Sequence, residues 1–328
     1  YVVTPRDAAQ PTDFQNEIIV PFAIESSLSG VQQTLLPEDR LWYRRSFEVT
    51  SVEPGQRLLL HFGAVDWEAE VWLNGERVGI HRGGYDPFTF DISELISTGG
   101  EQELVVGVWD PSNFGEGAYG KQHLVPHGIR YTAVSGIWQT VWLEAVPASR
   151  IKKVVGHTNL SAGEVNLQVE TLGANAGDEI EAVVRAGDSI VAVVRAAVDD
   201  NGAVLPVAPE ILHLWSPDDP FLYDVELRML RNDVVVDVVE SYFGAREVGI
   251  AEDEEGVTRL ILNGEPVFHL GLLDQGWWPD GLYTAPTDEA LAFDIEATRR
   301  MGFNTIRKHV KVEPARWYWH ADRLGLLV

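Results

Sequence analysis

For most of its length this chain places apolar residues in short runs of period two, broken by turn pairs. The spacing becomes helical only after Asn263-Gly264. A chain patterned this way stacks sheets first and brings in helices late. Glu68-Ala-Glu-Val-Trp-Leu73 alternates strictly, with Ala69, Val71 and Leu73 on one face. Asn74-Gly75 follows, then a second run through Val78 and Ile80. This predicts a hairpin, because a type I′ turn needs positive φ at both central residues and Asn-Gly tolerates it. Residues 57–62, 88–90, 103–109 and 139–144 read as further strands. Many short strands with turns between them predict a jelly-roll sandwich over residues 1–148.

From residue 149 to 247 the runs are Val-rich and the turns simple, as at Gly187-Asp188, Asn201-Gly202 and Asn232-Asp233. About seven strands in about 100 residues predict an immunoglobulin-like sandwich. Residues 248–328 change period again. Residues 267–272 read as an apolar strand. Thr287 caps a helix whose first turn holds Asp288 and Glu289, and Gly302 ends it. A second strand covers 303–307. Pro314 opens a second helix striped by Trp317, Ala321 and Leu324, and 326–328 start a third strand. Crossover handedness makes these strands parallel. Two helices cannot cover both faces of such a sheet. The stretch is therefore expected to be the first β/α units of an incomplete (β/α)8 TIM barrel, and the chain a fragment cut at both ends. The expected fold class is mostly β: a jelly roll, an immunoglobulin-like sandwich, then this barrel start.

The 328 residues include 50 acidic and 25 basic side chains, a net charge of -25. That charge repels phosphates and anionic lipid, so neither nucleic acid nor membrane is an expected partner. The acidity reads either as an ordinary solvated surface or as adaptation to high salt. There is no cysteine, which excludes disulfides, thiolate nucleophiles and Cys-bound metal. No run approaches the ~20 apolar residues of a membrane span. The N-terminus has no signal-peptide pattern, and the compartment stays open.

Several motifs carry a resemblance. Leu41-Trp-Tyr-Arg-Arg-Ser-Phe47, Phe62-Gly-Ala-Val-Asp66, Val71-Trp-Leu-Asn-Gly75, Gly83-Gly-Tyr85 and Ser135-Gly-Ile-Trp-Gln-Thr-Val-Trp142 lie in the first stretch. Leu214-Trp-Ser-Pro217 lies in the second, and Gly302-Phe-Asn-Thr-Ile-Arg307 in the third. Together they resemble glycoside hydrolase family 2, which includes β-galactosidases, β-glucuronidases and β-mannosidases. The resemblance implies a retaining β-glycosidase that uses two glutamates and no organic cofactor. In the family the acid/base sits in an Asn-Glu pair on a later barrel strand. The one such pair here, Asn16-Glu17, lies in the jelly roll. Neither catalytic glutamate is therefore expected in this chain, which alone is expected to be inactive.

The resemblance and the strand ends nominate substrate-binding residues. Arg307 ends the second barrel strand, either contacting sugar and carboxylate or making a structural ion pair. Lys308 and His309 follow where the family pattern places its His one position later; a basic Lys308 could favour a carboxylate-bearing sugar. Asp274 follows the first strand with Gln275, Trp277 and Trp278, reading as a saccharide subsite or as a capped loop over packed indoles. Asp110 resembles a jelly-roll loop residue that reaches the active site in some β-galactosidases, or it is a plain Asp-Pro turn. His123 and His127 are four apart, but Pro126 breaks the helix that would aim both at a metal, so no metal site is expected. The leading expectation is a β-galactosidase-like enzyme acting on a carbohydrate substrate. A β-glucuronidase and a non-catalytic carbohydrate-binding module are the alternatives, and homo-oligomerisation is left open.

Overall fold

The computed structural model describes residues 1–97 and 99–328. They form two compact units. One comprises Tyr1–Val146, Leu273–Asp294 and Lys308–Trp317; the other comprises Pro147–Leu272, Ile295–Arg307 and Tyr318–Val328. Residues 248–328 thus contribute to both. The chain is mostly β, as expected, and its described strands close no barrel. Among the described residues no helix is long and apolar enough to cross a membrane.

In the first unit a five-stranded sheet runs in the order Val2–Pro5, Asp39–Val49, Gly100–Trp109, Glu68–Leu73, Glu76–Arg82. A three-stranded sheet holds Val141–Pro147, Gln56–Phe62 and Phe88–Asp91. Apolar side chains that alternate along these strands, among them Leu41, Leu60, Phe62, Val71 and Val106, form one core. The predicted hairpin is present: Asn74 has φ 54° and Gly75 φ 82°, and Ala69, Val71 and Leu73 are fully buried. Two sequence-distant segments join this unit. Thr284 Oγ1 donates to the carbonyls of Pro21 (3.0 Å) and Trp138 (2.6 Å), and Ser26 Oγ donates to that of Asp280 (2.6 Å). Leu282 and Tyr283 pack with Ala23, Ala64, Val134 and Trp138 in a second cluster.

The second unit contains a sandwich of three strands on four. Arg150–Asn159, Glu164–Leu172 and Ala203–Val207 face Ser189–Ala197, Glu179–Ala186, Tyr223–Arg231 and Val234–Phe243. Its core takes one face of each sheet, with Val169, Ile180, Leu205 and Leu227 all inaccessible to solvent.

Helix α1 (Asp288–Arg300) begins where Thr287 Oγ1 accepts the Ala290 amide at 3.1 Å, and Gly302 follows it at φ 85°. Helix α2 (Ala315–Leu324) ends before Gly325 at φ 78°. Both follow the predicted caps. The strand expected over residues 267–272 lies later, at Gly271–Asp274. The reason is Asn304, whose side chain accepts the Leu270 amide and donates to the Phe268 carbonyl, both at 2.9 Å. It thereby takes over backbone groups that a strand ladder would have used. The partner strand is Thr305–Lys308. A third strand is reduced to one parallel bridge, Thr305 to Leu327.

Leu227→Ala should cost the second sandwich about 2–5 kcal/mol, because it removes a fully buried side chain that its close-packed neighbours cannot replace. Urea unfolding at fixed pH measures this; a loss below about 1 kcal/mol would contradict the packing described.

Candidate functional site

Asp274 stands at the end of its strand, where the His309 amide donates to its carbonyl at 2.9 Å. Its side chain meets a cluster of opposite charges. Lys308 Nζ donates to Asp274 Oδ2 at 2.8 Å and to Glu313 Oε1 at 2.5 Å. Glu313 Oε2 lies 3.1 Å from Lys311 Nζ, which also donates to the carbonyls of Gly276 (2.8 Å) and Tyr283 (2.7 Å). The Lys308, Glu313 and Lys311 side chains are almost wholly buried. An ammonium so placed survives only with several oxygens around it. Burial lowers the Lys311 pKa to about 8, while the Glu313 charge opposes the shift. Asp294 is pushed upward, first by burial and then by the Asp274 charge.

The backbone that delivers Lys311 is strained. Val310, a β-branched residue, has φ 60°, a region such residues rarely enter and one that costs of order 1–3 kcal/mol. Its carbonyl faces Tyr85 Oη at 3.4 Å and closes on Gly120, where a Cβ would stand 2.5 Å away. Only glycine fits there.

Trp277 stacks on Tyr131 with centroids 4.5 Å apart and meets Tyr283 edge-on at 5.1 Å. Trp278 is half-buried, and its backbone pairs with Leu282 in both directions. Gln275 Oε1 is buried without a hydrogen-bond partner among the described residues. Asp274, Trp277, Lys308 and the half-buried His309 thus belong to one compact unit, and Asp274 and Lys308 are in direct contact. Arg307 belongs to the second unit and is exposed. Sequence reasoning missed Lys311 and Glu313. The available signal was that two of only five lysines fall within four residues of each other.

Asp110 sits in a second group, formed by the first sandwich. Its Oδ1 accepts the Ser112 amide (2.6 Å) and its Oδ2 the Ser135 hydroxyl (2.7 Å). Asp66 Oδ2 accepts from Gln122 at 2.8 Å. Glu25 accepts the amides of Leu35 (3.3 Å) and Ser135 (2.8 Å). All three carboxyls are buried, and every donor named here is neutral. Burial raises Glu25 to about 8 and Asp110 to about 6, and lifts Asp66 well above its ordinary range with help from the Asp110 charge. A cavity of about 330 Å³ opens beside Asp66 and Asp110, lined also by Trp67, Trp109, Ser112 and Tyr119. Ser112 has φ 49°, and its buried Oγ has no hydrogen-bond partner among the described residues, which costs about 1–3 kcal/mol.

These carboxyls hold protons more tightly folded than unfolded. For Glu25 the stability so gained is complete below about pH 4.5 and is lost as pH rises through about 8. Glu25→Gln should flatten the fall of the urea midpoint between pH 5 and 8. An identical slope in the wild type and the variant would contradict this assignment.

Comparison with known proteins follows the same division. The family model described as "Glycosyl hydrolases family 2, sugar binding domain" matches residues 20–147, and that described as "Glycosyl hydrolases family 2" matches residues 149–246. A β-galactosidase of Thermoanaerobacter pseudethanolicus is 28% identical over 297 residues, covering 88% of this chain and 38% of its own length. A β-glucuronidase of Streptococcus agalactiae is 23% identical over 304 residues, covering 88% of this chain and 48% of its own. The chain therefore spans less than half of either relative. Among solved structures, a Bifidobacterium dentium β-glucuronidase superposes with TM-score 0.76 at 22% identity, covering 98% of this chain and 56% of that one. A β-glycosidase from Bacteroides vulgatus superposes with TM-score 0.73 at 23% identity, covering 87% and 35%. At these identities the superpositions speak for the fold.

Proposed function

This chain belongs to family 2 of the glycosyl hydrolases, and from that premise we propose that the whole protein is a retaining β-glycosidase acting on terminal β-galactosides. The family's two-carboxylate mechanism has one group protonate the leaving oxygen while the other, about 5–5.5 Å away, attacks the anomeric carbon. No Asn-Glu pair follows residue 248, so we assign to residues 1–328 substrate contacts and not the two reacting carboxylates. In this reading residues 1–148 are the jelly roll, 149–247 the immunoglobulin-like sandwich, and 248–328 the start of a (β/α)8 barrel. The Asp274 strand and the segment that follows its neighbour would then present Asp274, Lys308 and His309 at the end of the barrel where its loops gather substrate, and Arg307 is proposed as a further substrate contact on its own unit.

The observation that supports this most is the Asp274–Lys308–Glu313–Lys311 cluster beside Trp277. A fixed carboxylate next to an indole holds a pyranose by hydroxyl hydrogen bonds and by the apolar face of the ring. Lys308 already serves two carboxylates, so its charge is met within the protein. That favours a neutral galactoside over a glucuronide.

The whole protein should hydrolyse p-nitrophenyl β-galactoside faster than the β-glucuronide, with the β-anomer as first product by proton NMR. Asp274→Asn should lower kcat/KM by about 100-fold or more without unfolding the protein. A preference for α-glycosides, or an inverted first product, would overturn the reading.

A further inference from the structure

Three Asn-Gly pairs stand in this chain, at Asn74-Gly75, Asn201-Gly202 and Asn263-Gly264. Locally they are one motif. Each glycine has positive φ, at 82°, 102° and 85° in turn, a conformation that the missing Cβ makes easy. The same missing side chain leaves the glycine nitrogen unshielded, so it can attack the carboxamide of the asparagine before it.

The three carboxamides are held very differently. Asn74 Nδ2 donates to the Leu95 carbonyl and to Gln102 Oε1, both at 2.8 Å, and its Oδ1 accepts the Glu103 amide at 2.9 Å. Gln102 is wholly buried, so water does not replace that bond when it breaks. Asn263 Nδ2 donates to the Trp215 carbonyl at 2.9 Å, and its Oδ1 accepts the Glu247 amide at 3.0 Å. Asn201 is exposed in a turn, and its carboxamide makes no hydrogen bond among the described residues. The restraint there lies on the attacking nitrogen, since the Gly202 amide donates to the Asp199 carbonyl at 3.1 Å. Attack must therefore break three carboxamide bonds at Asn74, two at Asn263, and one backbone bond at Asn201.

We infer that Asn201 is a self-modification site, where water converts the asparagine into aspartate and isoaspartate while Asn74 and Asn263 persist. The Gly202 nitrogen gives its proton to water and bonds to Asn201 Cγ. The Cγ–Nδ2 bond breaks and ammonia leaves. Water then opens the five-membered imide at either carbonyl. The net change is carboxamide and water to carboxylate and ammonium, with no electron transferred. Opening at the main-chain carbonyl routes the backbone through Cγ and adds a methylene to the turn. The Asp199–Gly202 bridge has no room for that length, because Gly202 packs so closely that a Cβ would stand 1.9 Å from the Val169 carbonyl oxygen. The strand Ala203–Val207 begins directly after it.

The test is peptide mapping by mass spectrometry of the full chain, aged in mildly alkaline buffer both folded and in urea. A neutral hydrogen bond is worth about fivefold in an equilibrium, so folded Asn201 should convert about fivefold faster than Asn263 and about 25-fold faster than Asn74. In urea the three rates should come together, because the local Asn-Gly sequence is shared. Asn201→Gln should remove most of the acidic isoform that ageing builds up on anion exchange. Conversion of Asn74 or Asn263 as fast as Asn201 in the folded chain would overturn the inference. So would a rate ratio that urea leaves unchanged, which would place the cause in the sequence and not in the fold.

Discussion

An ammonium group with no access to water must be given oxygens, and Lys311 is given three. They come from the carbonyls of Gly276 and Tyr283 and from the Glu313 carboxylate. Two of these donors of charge density sit about thirty residues back along the chain, so the bond network fixes where residues 273–284 run. Tyr283, thus placed, hydrogen-bonds Tyr85 at 3.0 Å and packs on Trp138, and Thr284 ties its own turn to Pro21 and Trp138. The same network sets Asp274, because Glu313 holds Lys311 with one oxygen and Lys308 with the other. One buried charge thereby organises the candidate site and seats it against the first sandwich. Removing a single partner from such a network leaves an uncompensated ion, whereas the whole set is close to neutral.

The first sandwich carries a second electrostatic device of opposite character. Glu25, Asp66 and Asp110 are buried among neutral donors, and burial favours their protonated forms. Protonated carboxyls are hydrogen-bonding groups without the desolvation cost of an anion. Ser135 serves two of them at once, its amide bonding Glu25 and its hydroxyl Asp110. Asp66 and Asp110 lie where the Asp110 turn, Ser112 and the indoles enclose a cavity, so part of the polarity there comes from carboxyls that burial shifts toward the neutral form. The two devices explain how a chain of net charge -25 keeps acidic groups inside its β structure.

Much of this fold was legible because strand period and turn chemistry are local. Asn74-Gly75, the alternation of Ala69, Val71 and Leu73, and the caps at Thr287 and Gly302 each depend on a few neighbouring residues, and each appears as read. The family resemblance rested on motifs of the same short range. The strand at 267–272 was misplaced because Asn304, far along the chain, claims the backbone of Phe268 and Leu270. Lys311 and Glu313 escaped notice for a similar reason. Their significance lies in burial, and nothing in the spacing Lys308, Lys311, Glu313 distinguishes a buried network from a solvated charged turn. Asp110 was singled out from its motif, but its partners Ser135, Asp66 and Glu25 come together only in three dimensions.

The central claim is that Lys311 holds the Asp274 segment in place. Hydrogen exchange of the full chain, compared between wild type and Lys311→Met, tests it most directly. The account predicts that amides of residues 273–284 lose protection in the variant while those of the strand Tyr223–Arg231 keep theirs. Unchanged protection across residues 273–284 would contradict it, and the candidate site would then owe its geometry to packing alone.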